Sequence, residues 1–203
     1  MIIVYDTETT GLAKRDLALD DPAQPRICQI AAALYDDNGR EVESFCSLIR
    51  PDGWVMEEEA LRAHGITLDR CLVEGIGIRD ALDTLDDLAR RATSGRSVGF
   101  NIGFDIRMVN RESSLMGYYL HLRELERYCV MMKCGLGGRW KKLEVVYQTL
   151  IGEPMHLKHK AHDALGDVRA TAECYFAIQK RAAEAPPIDL KKPAEPRRSK
   201  PIF

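Results

Sequence analysis

The chain has 203 residues, enough for one core-forming domain of roughly 150–200 residues and a tail. Hydrophobic residues make up 45% and charged residues 30%, an ordinary globular balance, and no apolar run nears the roughly 20 residues that span a bilayer. A formal charge of −2 excludes polyanion binding by bulk electrostatics but leaves room for a metal site or a local basic stripe.

Met1 to Tyr5 is an apolar, β-branched run that predicts a buried strand, and it meets Asp6 too soon to be a secretory signal. The strand period of two puts Asp6 and Glu8 on one face and Thr7 on the other, before Gly11 ends the run. Paired acids at the end of an apolar strand either run out into a solvated turn or hold a cation, and hard oxygen ligands favour Mg²⁺ or Mn²⁺ over zinc. Residues 13–26, charged and carrying two prolines, read as a long loop of functional rather than decorative length. Ile27 to Tyr35, the Asp36-Asp37-Asn38-Gly39 turn and Glu41 to Ile49 predict a hairpin completing a three-stranded sheet.

A short helix is expected from Glu57 to Ala63, closed by Gly65, with Thr67 capping the next turn and His64 in a structural role. Apolar spacing from Ile78 to Ala92 predicts a longer helix. Val98-Gly99-Phe100 is a fourth strand that delivers Asn101-Ile102-Gly103-Phe104-Asp105, and Asp105 opens a helix to about Gly117, where it is either a first-turn acid or a ligand. Tyr128 to Met132 is read as a fifth strand, Gly135 to Gly138 as a flexible loop without phosphate-loop signals, and Lys142 to Leu150 as a helix. A last helix runs from His162 to about Arg181. Beyond it, residues 182–203 form a basic, proline-containing tail expected to be disordered. The six cysteines contain no C-x-x-C pair and read as small core residues in a reducing compartment, which sets a cytoplasmic location as the expectation.

Asp6, Glu8, Asp105, His162 and Asp167 thus stand in three separated motifs: DTETTGL, NIGFD and HDALGD. In this order they resemble the DnaQ-like 3′–5′ exonucleases of the DEDDh group, the family of polymerase proofreading subunits and related nucleases. The resemblance runs from about Met1 to Arg181. It implies an α/β, RNase H-like fold: a five-stranded mixed sheet, the second strand antiparallel to the rest, flanked by helices. It also implies two Mg²⁺ (or Mn²⁺) ions, with Asp6 contacting both, Glu8 and Asp167 completing one site and Asp105 holding the other. His162 would be the general base, since imidazole titrates near neutrality. Five residues turn about 140° along a helix, so His162 cannot share a face with Asp167 and belongs in the preceding loop or first turn. Asp163 is left out as a capping acid.

Thr9, Thr10, Leu12, Asn101 and Phe104 would receive the terminal nucleotide, Phe104 being either a stacking platform or core. The expected activity is release of nucleoside 5′-monophosphates from the 3′ end of single-stranded DNA, in proofreading or repair. A DNA polymerase subunit is the candidate protein partner. An exoribonuclease of the same superfamily and a non-catalytic nucleic-acid or polymerase-binding module are the competing readings.

Overall fold

The computed structural model describes residues 1–137 and 140–184. Strand β1 (Ile2–Thr9) lies at the middle of a five-stranded sheet, between β2 (Ile27–Tyr35) and β4 (Arg96–Gly99). The edges are β3 (Glu41–Leu48), paired with β2, and β5 (Glu126–Cys129), paired with β4. Pairing is antiparallel for β1–β2 and β2–β3 and parallel for β1–β4 and β4–β5, so β2 alone runs against the others. The expected mixed sheet is the one observed.

Alternation along β1 feeds two cores. Ile3 and Tyr5 pack with α3 (Ile78–Arg90) and α4 (Gly103–Leu115), through Leu82, Leu85 and Met108. Ile2 and Val4 pack on the opposite face with α6 (Leu143–Ile151) and α7 (Ala164–Glu184), through Val146, Tyr147 and Val168. Helices on both faces explain why every residue of β2 is buried and why that strand reads as a continuous apolar run. The helices α1 (Glu58–His64) and α2 (Leu68–Glu74) follow the hairpin. Gly65 closes α1 with a φ of 72°, and the Thr67 hydroxyl accepts the Arg70 N–H to cap α2.

The strand order reverses between β1 and β4, where the chain leaves β1 to one side and β4 to the other. In open α/β sheets a ligand crevice forms outside the carboxyl ends of strands at such a point. Asp6 and Glu8 stand there. A register shift between Glu8 and Thr9 bends the end of β1, the kind of bulge that re-aims side chains beside sites.

Two sequence expectations change. The strand expected over Tyr128–Met132 begins earlier, at Glu126, and ends at Cys129, because Val130–Lys133 turn into a four-residue helix, α5. A short apolar run fits either state, and here Val130 and Met131 bury themselves beneath the sheet edge from a helical turn. Second, α7 continues to Glu184, three residues past the boundary set at Arg181; the rest of the expected tail, 185–203, lies outside the described residues, as do Gly138 and Arg139. Four cysteines (Cys28, Cys71, Cys134 and Cys174) are buried as expected, whereas Cys46 is exposed on the edge strand and Cys129 is half-buried.

The 13–26 loop is stitched internally by the buried Gln24, whose amide donates to the Lys14, Leu17 and Ala18 carbonyls and accepts from Lys14 N–H. Its exit is pinned by Arg26, 2.8 Å from the buried Glu112 of α4 and 2.8 Å from Asp52. Glu112 also accepts the Ile27 N–H. Glu112→Ala should therefore lower unfolding free energy in urea by about 2–4 kcal/mol, leaving Arg26 with Asp52 alone. The exposed helical pair Arg70–Glu74 supplies the comparison: Arg70→Ala should cost under about 0.5 kcal/mol.

Candidate metal and active site

The even face of β1 carries Asp6 and Glu8 into a cleft at the carboxyl end of the sheet. Thr7, on the odd face, donates its N–H (3.0 Å) and its hydroxyl (2.8 Å) to one oxygen of Asp105. That pair of bonds ties the first turn of α4 to β1. Asp105 is only 3% exposed, so a carboxylate is being held in the interior by two donors.

The third element is docked by Gln29, the cross-strand partner of Glu8, whose amide oxygen accepts the first N–H of α7, from Ala164 (3.1 Å). Gly166 lets this turn close, since a Cβ there would collide with the Lys160 carbonyl. The Asp163 carboxylate accepts Gly166 N–H, as a capping acid should. Asp167 then faces β1, while His162 sits before the helix with a φ of 56°. His162 and Asn101 (φ 58°) are the two non-glycine residues with positive φ among the described residues, and both stand at this cleft. Backbone in that region costs of order 1 kcal/mol or more and persists where the surroundings enforce it.

One open cleft of about 350 Å³ is lined by Asp6, Glu8, Asp105, His162 and Asp167 together. Glu8, His162 and Asp167 each place a ligand atom within 4.8 Å of the others; Asp6 and Asp105 stand outside that triple on the same walls. Burial and then the neighbouring acids Asp105, Asp167 and Glu8 push the Asp6 carboxyl well above its usual range. Burial and then Asp167 and Asp105 push Glu8 up to about 8. Asp105 rises to about 7 through burial, opposed by the Thr7 bonds. Asp167 rises to about 7 through burial, opposed by a hydrogen bond from the His162 main chain. Four carboxyls in one crevice repel one another when ionised, and divalent cations bound by hard oxygens are the charge that fits this donor set.

Beside this cleft a second cavity of about 340 Å³ is lined by Glu8, Thr9, Leu12, His64 and Phe104 among others. Leu12 is 75% exposed and Phe104 half-buried; both line the acid cleft too, as does Asn101. The Thr9 hydroxyl is turned to the Gly11 carbonyl (2.8 Å). Thr10 is the expected pocket residue that the structure does not bring to either wall. Its hydroxyl accepts Arg26 N–H and its main chain bonds Arg26 and Glu57, so it fastens the loop instead. His64 is structural, its Nδ1 accepting Ile66 N–H and its Nε2 lying 3.2 Å from the Thr9 carbonyl. His159 lies away from the cleft, 2.8 Å from Glu173 and edge-on to Tyr147.

Three contributors were missed in the sequence: Thr7 as the group that orients Asp105, Gln29 as the dock for α7, and Trp140 on the cleft rim. Thr7 and Gln29 carry no local signal because their partners lie 98 and 135 residues away. Trp140 had one, an aromatic directly before Lys141-Lys142.

A family model described as exonuclease matches residues 3–175, and the chain belongs to that family. No curated protein sequence matches the chain significantly. Among solved structures, exonuclease I aligns over 90% of this chain and 41% of its own, at 20% identity and a TM-score of 0.67. E. coli exonuclease I in complex with a dT13 oligonucleotide gives 19% identity, a TM-score of 0.66, and 90% and 42% coverage. Exonuclease X in complex with 5′-overhanging duplex DNA gives 23% identity, a TM-score of 0.61, and 90% and 93% coverage. The chain thus spans about two fifths of exonuclease I and nearly all of exonuclease X, and the shared fold is the α/β sheet described above.

The raised carboxyls fix a pH dependence. A carboxyl whose folded pKa lies above its unfolded value binds more protons when folded, so the metal-free protein loses stability as pH rises from about 4 toward 8. Cations bound among these acids would reverse that loss. The rise in Tm on adding Mg²⁺ or Mn²⁺ to EDTA-stripped protein should therefore be larger at pH 8 than at pH 5, and Asp6→Asn should raise the metal-free Tm at pH 8. A metal shift that is equal at both pH values would contradict the burial of mutually repelling acids.

Proposed function

We propose that this protein is a 3′–5′ exonuclease acting on DNA ends, mostly single-stranded, with Mg²⁺ or Mn²⁺ held by Asp6, Glu8, Asp105 and Asp167. The observation that carries the reading is the convergence of those four acids and His162 in one cleft, from three separate motifs. Bound there, the ions would supply Lewis-acid stabilisation of charge on the phosphate. Asp6 would contact both, Glu8 and Asp167 would complete one site and Asp105 the other.

The chain's own part is positioning and proton transfer. His162, exposed at the mouth of the cleft beside Glu8 and Asp167, accepts the proton of the attacking water. The water oxygen bonds to phosphorus as the P–O3′ bond breaks. The departing O3′ takes a proton from solvent, so the strand keeps a 3′-hydroxyl and the terminal residue departs as a nucleoside 5′-monophosphate. Its sugar and base occupy the cavity walled by Leu12 and Phe104, with Thr9 and Asn101 holding the adjacent main chain and Thr10 acting through the loop. Stacking on Phe104 and packing on Leu12 do not depend on the identity of the base, which suits removal of any base.

DNA is favoured over RNA by the relatives solved with DNA, a dT13 oligonucleotide in one and a 5′-overhanging duplex in the other. A non-catalytic binding module is disfavoured by the cost of retaining a self-repelling acid cluster. Action in proofreading or repair, with a DNA polymerase subunit as partner, and a cytoplasmic location belong to the same proposal; among the described residues no helix is long and apolar enough to cross a membrane.

A time course on matched 5′-labelled DNA and RNA strands with Mg²⁺, Mn²⁺ or EDTA tests it. Stepwise shortening of DNA that EDTA abolishes is expected; faster loss of RNA would transfer the assignment to an exoribonuclease. Asp6→Ala should lower the rate by at least about two to three orders of magnitude while the fold persists. His162→Ala should lower turnover by roughly 10²–10⁴-fold and flatten the rising limb of the pH–rate curve. His159→Ala, which removes a contact to Glu173, should disturb stability far more than turnover. A crippled His159→Ala beside an active His162→Ala would overturn the choice of base.

A further inference from the structure

Trp140 is 61% exposed although it is among the largest apolar side chains in the protein. It lines the same cleft as Asp6, His162 and Asp167, and it is followed directly by Lys141, in that cleft, and Lys142. Lys142 lines an adjoining cavity of about 270 Å³ together with Phe100, His162 and Asp167. The pocket walled by Leu12, His64 and Phe104 shares Thr7, Glu8, Leu12 and Phe104 with that cleft and contains none of Trp140, Lys141 and Lys142. An exposed indole and Lys141 thus border the cleft that holds the acids, Lys142 borders the cavity adjoining it, and the Leu12–Phe104 pocket is a separate recess that shares part of the cleft's lining. An indole face offers stacking to any base, and flanking lysines complement the phosphates between bases.

Resting on the exonuclease reading, we propose that Trp140 stacks on a base of the substrate strand on the 5′ side of the scissile phosphate. It holds the part of the strand that stays behind, while the Leu12–Phe104 pocket takes the residue that leaves. Stacking on an open face requires an unpaired base, so this wall selects a single-stranded end at least as long as a dinucleotide. The role is strand holding; no proton or metal passes through it.

The protein contains two tryptophans, and the second, Trp54, packs half-buried against Leu48 and Ile66 away from the cleft. A Trp54→Phe protein thus reports Trp140 alone. Titrated with a short single-stranded oligonucleotide in Ca²⁺, its emission should be quenched, whereas a nucleoside 5′-monophosphate, which fills only the other pocket, should leave it unchanged. With Mg²⁺, Trp140→Ala should raise KM for single strands about 5- to 150-fold, the range for losing one stacked base, with kcat changed far less. Trp140→Phe should recover most of the loss. Unquenched Trp140 at saturating strand, quenching by the mononucleotide to the same extent, or a wild-type KM in Trp140→Ala would each overturn the proposal. Quenching reads strand contact whether or not the strand is cut. A protein that quenches without cleaving would therefore overturn the exonuclease reading alone, and one that cleaves without quenching would overturn the stacking alone.

Discussion

Asp6, Glu8, Asp105 and Asp167 repel one another in a crevice that burial has already made hostile to charge, and most of the surrounding structure can be understood as holding them there. β1 supplies two of them from one face because a strand alternates. The opposite face of the same strand supplies Thr7, which spends both its donors on Asp105. Gln29, opposite Glu8 on β2, fixes the start of α7 and so the distance of Asp167 from β1. A metal-free protein would relax this cluster by protonation; a cation relaxes it without protons. The same repulsion that destabilises the fold at neutral pH is what would give the site affinity for metal.

The strained residues belong to this arrangement. His162 and Asn101, both lining the cleft, adopt left-handed backbone conformations, each at the end of a loop that enters a helix carrying an acid. Asn101 accepts the Phe104 N–H through its carbonyl and so sets the turn from which Phe104 and Asp105 diverge. Gly166 permits the approach of α7 to Lys160 that leaves His162 over the acids rather than behind them. Sequence spacing alone placed His162 off the helical face of Asp167; the positive φ shows how the chain achieves it.

Much of this was legible because the signals were local. The continuous apolar run of β2, the turn at Asp36–Gly39, Gly65 after α1 and Thr67 before α2 each announce their element, and each is found where expected. The boundary at Cys129 was not legible, since Val130 and Met131 are apolar enough for a strand and were claimed by a helical turn only through packing. Thr10 looked like its neighbour Thr9, yet the loop it closes through Arg26 takes its hydroxyl out of the cleft. Gln24, Gln29 and Thr7 were invisible for a related reason: amides and hydroxyls acquire a role only when the fold brings a partner to them. The acids and the histidine could be singled out because they stand in three recognisable motifs, and the structure brings those motifs to one cleft.

Calorimetric titration of EDTA-stripped protein with Mn²⁺ at pH 7, in two buffers of different ionisation enthalpy, counts the protons that metal displaces from the acid cluster. Glu8, Asp105 and Asp167, with pKa values near 7 to 8, are partly protonated at this pH before metal enters. Binding should therefore release protons, and release should diminish as pH rises above 8. Binding without proton release at pH 7, or no binding at millimolar Mn²⁺, would contradict the view that this cleft is a metal site held ready by mutually repelling acids.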